Sequence, residues 1–128
     1  NATYSSMSLF LILSNNLIVN EEDIFNLFKH TLENYQFDEE IKNLIIYKKL
    51  LFQSNFSVES EMIEVAKPLL NSNSLWKPHV LMLLGEYFVS KKEHQKAKEF
   101  FIQILSIKDL EKKFYNQAKL NLLLISND

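Results

Sequence analysis

Cysteine and arginine are both missing from this chain of 128 residues, and glycine and proline together supply three positions. Without cysteine there is no disulfide, no thiolate nucleophile and no cysteine-held zinc, and the chain suits a reducing or an oxidising compartment alike. Without arginine the planar, bidentate fork that reads guanine edges and phosphates is absent, so nucleic acid is not an expected partner. A single glycine rules out a phosphate-cradling glycine-rich loop. So few Gly and Pro residues also leave a hairpin-rich β fold short of turns. No apolar run reaches the roughly 20 residues that span a bilayer. The longest, Leu9 to Val19, is broken by Ser14-Asn15-Asn16.

What the chain does have is 47% hydrophobic residues, a net charge of −2 and an abundance of Leu, Ile, Lys, Glu and Asn. That composition points to one all-α domain covering residues 1–128. Its organising stretch is Leu75 to Ile107. Leu81, Leu84 and Phe88 form an apolar stripe at helical spacing, and Ala97, Phe100, Phe101, Ile104 and Leu105 form a second. Ser90-Lys91-Lys92-Glu93-His94 is the short polar connection between them. The only glycine, Gly85, falls inside the first helix, where it costs about 1 kcal/mol relative to alanine. Close packing of two antiparallel helices, with Ala97 as the second small residue, is the expected reason.

This pattern resembles a tetratricopeptide repeat, a helical hairpin of about 34 residues with small residues at two fixed places. Leu84-Gly85, Phe88, Ala97 and Phe101 match it. Leu81 stands where tryptophan is common, Ile104 where alanine is usual, and Asp109 where proline closes the unit. The second-helix stripe recurs at Met62, Val65, Ala66, Leu69 and Leu70, and again at Ile24, Leu27, Phe28, Thr31 and Leu32. The sequence therefore predicts a right-handed α–α superhelix of three degenerate hairpins, over about 4–34, 38–71 and 75–107, with a capping helix over about 110–125. Seven helices are expected in all. Within the fifth, Ser74 is the expected N-cap and Pro78 is tolerated in the first turn. The capping helix carries Phe114, Ala118, Leu122 and Ile125 on one face.

None of the candidates for chemistry converges. Glu21-Glu22-Asp23 and Asp38-Glu39-Glu40 sit at expected helix starts, where acids complement the helix dipole, and Glu59 and Glu61 follow Ser57 in the same way. His30, His79 and His94 lie on different hairpins, without metal-ligand spacing, and read as surface residues. Lys48-Lys49, Lys91-Lys92 and Lys112-Lys113 read as solvated faces. Trp76 and Tyr87 read as packing at helix junctions. No catalytic residue, cofactor site or metal site is expected.

In the tetratricopeptide arrangement the first helix of each hairpin lines a groove. Transferring those offsets gives Ser6, Leu9 and Leu13, then Leu44, Tyr47 and Leu51, then His79, Met82 and Glu86. Much of this surface is apolar. It is expected either to be buried within the chain or between two chains as a homodimer, or to hold a partner helix or peptide.

The segment Pro68-Leu69-Leu70-Asn71-Ser72-Asn73-Ser74-Leu75-Trp76-Lys77, followed by Leu84-Gly85, also resembles a bacterial family of tetratricopeptide repeat-like proteins related to the ancillary subunit of the Sec translocon. The likeness is specific between about Ala66 and Leu105. It implies one membrane-spanning helix upstream and a repeat domain on the periplasmic side of the inner membrane. The implied partners are a translocon subunit, exported proteins or their chaperones. Asn1-Ala2 reads as the remnant of a cleaved tag and Thr3 as the start of a shortened chain, which would make an N-terminal anchor the only link to the membrane. A cytoplasmic scaffold or adaptor, or a non-catalytic fragment of a larger protein, is the alternative.

Overall fold

The computed structural model describes residues 20–126. The predicted first helix, with Ser6, Leu9 and Leu13, lies outside the described residues. Those residues form six α-helices and no strand: α1 (Glu21–Asn34), α2 (Glu39–Gln53), α3 (Glu59–Leu70), α4 (Lys77–Ser90), α5 (His94–Leu105) and α6 (Lys112–Ser126). The all-α class read from the sequence is the observed one. Each helix packs on the next in chain order, and the next-but-one pairs α2 with α4 and α4 with α6 also touch.

The starts of the helices follow local chemistry. The Asn20 side chain accepts the Glu22 N–H at 2.8 Å, and Glu21, Glu22 and Asp23 fill the first turn of α1. Glu39 and Glu40 open α2, and Glu59 and Glu61 open α3. Two capping expectations change. Ser57 does not cap α3: Val58 holds that position, and Ser57 turns inward, where its hydroxyl accepts from Gln53 Nε2 and its carbonyl from the Tyr87 hydroxyl. Nor does α4 begin directly after Ser74. Ser74 Oγ instead accepts the Trp76 N–H at 3.1 Å, bracing a preceding turn, and the helix starts at Lys77 with Pro78 in its first turn.

The connection from α4 to α5 is a left-handed helix stop. The Glu93 N–H reaches back to the Phe88 carbonyl at 2.9 Å and the Lys92 N–H to that of Val89 at 2.9 Å. Lys92 takes φ 59° there, a place usually held by glycine.

Burial follows the apolar spacing read from the sequence. Ala97, Phe101 and Ile104 of α5 are fully buried, as are Met62, Ala66 and Leu69 of α3 at the equivalent places. In α1 the equivalents of the last two, Phe28 and Thr31, are buried. Leu81, Leu84, Gly85 and Phe88 of α4 are buried as well. The reason for the glycine is packing, and the close partner is the Phe101 ring. A Cβ at Gly85 would stand 2.5 Å from Phe101 Cε1. One unit earlier, the places of Gly85 and Phe101 hold Leu50 and Ala66, both fully buried. The bulk has moved from the second helix of the hairpin to the first. Phe88 adds a parallel stack on Phe100, with ring centroids 5.5 Å apart. Each large side chain buried in this way contributes about 1.5–3 kcal/mol.

Candidate interaction surfaces

The predicted groove positions on α2 and α4 are brought together by the contact between these helices. Leu44, Tyr47 and Leu51 are each half-buried on α2. Tyr47 stacks on Trp76, with ring centroids 5.9 Å apart, and meets the edge of His79 at 5.4 Å. The third-unit positions then meet α6. Phe114 packs edge-on against His79 at 4.7 Å, Gln117 Nε2 donates to Glu86 Oε1 at 3.2 Å, and Asn121 Nδ2 lies 3.9 Å from Met82 Sδ. Met82 is 6% exposed as a result. Of the groove positions on α4, Met82 alone is buried; Glu86 stays exposed and His79 half-buried, and the apolar part left partly open is on α2, at Leu44 and Leu51.

Electrostatics at the joint follow from that cover. Burial pushes the Glu86 carboxyl above its ordinary value, against the pull of Gln117. Burial, then the nearby Glu86, raises the Tyr47 hydroxyl. Burial, then the charge of Lys113, holds the His79 imidazole below its ordinary value. His79 is thus no surface histidine. It sits among Tyr47, Trp76 and Phe114, and its Nδ1 is buried with no hydrogen-bond partner among the described residues. Trp76 is at a helix junction as the sequence suggested, and so is Tyr87, whose hydroxyl donates to the Ser57 carbonyl at 2.8 Å.

Beside this joint, a cleft of about 640 Å³ opens between the turn before α4 and the loop from α5 to α6, lined by Leu75, His79, Ile107, Leu110 and Phe114 among others. A shallower hollow of about 490 Å³ lies where Phe25, Gln53, Glu61 and Val65 meet. Lys49 departs from the expectation of a solvated face. It is half-buried, reaches over the Phe25 ring at 5.1 Å, and is held below its ordinary pKa chiefly by burial. Among the described residues no three histidine or acidic side chains are grouped to hold a metal ion, and no helix is long and apolar enough to cross a membrane.

No protein-family model, curated protein or solved structure matches the chain.

The surface that sequence reasoning missed is the outer face of α6. Leu120, Leu123 and Leu124 are 56%, 61% and 59% exposed. They point away from Phe114, Ala118 and Ile125, which are buried on the inner face. The signal was present in the run Leu120-Asn121-Leu122-Leu123-Leu124-Ile125, which is too apolar for a helix with one buried stripe.

Proposed function

We propose that this chain is a non-enzymatic protein-interaction module of degenerate tetratricopeptide-like hairpins, serving protein export or envelope assembly on the periplasmic side of a bacterial inner membrane. The observation that carries the reading is the repeated burial register. Ala97, Phe101 and Ile104 on α5, and Met62, Ala66 and Leu69 on α3, are buried at the same places in successive hairpins. Units that lean mainly on their neighbours suit a stack that offers an extended surface to a partner. Leu44 and Leu51, left half-buried on α2, point the same way.

The export setting is supported by the likeness of Ala66 to Leu105 to the family related to the ancillary Sec translocon subunit. Translocon subunits, exported proteins or their chaperones are the partners that follow from it. With Met82 covered by α6, the part of the groove offered to a partner is the α2 side, Leu44 and Leu51.

The test is photo-crosslinking in cells, with the reactive residue at Leu44 or Leu51 of the protein as its native gene encodes it. Adducts with translocon subunits or exported proteins are the expected result. Adducts only with other copies of this protein, or only with cytoplasmic proteins, would overturn the proposal.

A further inference from the structure

We infer that the outer face of α6 docks an acidic amphipathic helix of a partner protein, an inference that rests on the interaction-module function proposed above. Leu120, Leu123 and Leu124 are spaced i, i+3 and i+4, so they form one ridge on the helix surface. More than half of each side chain is in water. Apolar residues at this spacing are the anchors that helix-to-helix docking uses.

Charge decides the occupant. Lys119 precedes Leu123 by four residues and Lys112 precedes Leu120 by eight, which brings these two lysines to the side of the ridge, while Lys113 lies over the Phe114 ring at 5.3 Å. All three are exposed, and no Asp or Glu occurs from Lys112 to Ser126. Lys113 is 3.5 Å from the Glu111 carboxylate, while Lys112 and Lys119 have no ion-pair partner among the described residues. Lys119 instead lies over the Tyr115 ring at 5.3 Å, which fixes its position without neutralising it. The first turn of α6 has no acid, so the helix dipole opposes its lysines. A partner helix with a leucine stripe edged by glutamate or aspartate would cover the ridge and neutralise these charges together. A second copy of this chain, meeting the ridge with its own α6, brings the same lysines and, from Lys112 to Ser126, no acid to face them.

The experiment uses the whole chain and two synthetic amphipathic helical peptides with the same leucine stripe, one edged by glutamate and the other by lysine. Binding is followed by fluorescence anisotropy at low and high salt. The glutamate-edged peptide is expected to bind about tenfold or more tightly than the lysine-edged one, with the gap narrowing in salt. Leu123→Ser and Lys112→Glu should each weaken it several-fold. Lys112→Glu should also raise the melting temperature, because it places an acid in a helix first turn, so weaker binding cannot be weaker folding.

Equal affinity for the two peptides, no binding of the glutamate-edged peptide, or binding untouched by Leu123→Ser would overturn the inference. A dimer in sedimentation that Leu123→Ser dissolves would also overturn it, by assigning the face to a second copy. If Leu44→Ser abolishes peptide binding and Leu123→Ser does not, the docking site is wrong and the interaction module stands. The in-cell adducts at Leu44 and Leu51 judge that module separately.

Discussion

Glu40, in the first turn of α2, closes the turn that leads into α4. Its Oε1 accepts from the Ser74 hydroxyl and its Oε2 from the Leu75 N–H, each at 2.7 Å. Asn43 Nδ2 adds a third bond at 2.7 Å. These donors, led by Asn43, hold the carboxyl below its ordinary range. One side chain thereby ties the start of α2 to the turn before α4.

Glu40→Gln is expected to cost about 1 kcal/mol at neutral pH, since three donors lose a charged acceptor at a largely solvated site. The folded-state pKa lies below the unfolded one. The stabilisation is therefore complete above the ordinary carboxylate value of about 4.3 and is lost as pH falls through the lower folded value. Urea unfolding of both proteins, followed by Trp76 fluorescence, should show the difference at pH 7 and its decline in acid.

Glu86→Gln should have the opposite sign. Burial raises the folded pKa of Glu86, so its charged form is disfavoured in the native state. That penalty is absent below the unfolded pKa and sets in as pH rises through the folded one. The substitution is expected to stabilise by about 0.5 kcal/mol at pH 7 after allowance for solvent screening, and by nothing in acid. A loss of stability at pH 7 would mean that Gln117 holds the carboxylate better than the amide.

Gly85→Ala should cost about 2 kcal/mol, because the added methyl enters the Phe101 ring. Phe101→Leu in the Gly85→Ala background should recover part of that loss, although Phe101→Leu alone is destabilising. A double-mutant cycle measures the coupling, and strictly additive losses would show that the two sites do not touch.

Lys92→Gly should stabilise by about 0.5–1 kcal/mol, because the left-handed backbone at φ 59° carries no penalty for glycine. Lys92→Ala, which keeps the Cβ, should leave stability nearly unchanged. Thermal melts of the two variants beside the parent protein separate the backbone effect from loss of the lysine charge.

Features set by neighbours in the chain were legible in the sequence. The acids of Glu21-Glu22-Asp23 marked the start of α1, and the spacing of Ala97, Phe101 and Ile104 named the residues that α5 buries. Features set by distant partners were not. Ser57 looks like a cap until Tyr87, thirty positions on, draws its carbonyl inward. Glu40 looks like one more first-turn acid until Ser74 and Leu75 arrive beside it. His79, Met82 and Glu86 have the offsets of groove residues, but their spacing carries no information about α6, whose Phe114, Asn121 and Gln117 meet them. Helical periodicity shows which face of a segment is apolar. It does not show which other segment will cover that face.

The exchange of bulk between Gly85–Phe101 and Leu50–Ala66 limits how such a chain can change over generations. A larger residue at 85 is tolerated only after position 101 has shrunk, so the two must drift as a pair. The helices are also not interchangeable between units. A Phe101-like side chain facing Leu50 would overfill its hairpin, and an Ala66-like one facing Gly85 would leave a void. What such a change must preserve at Gly85 and Phe101 is their total volume rather than a residue at either place.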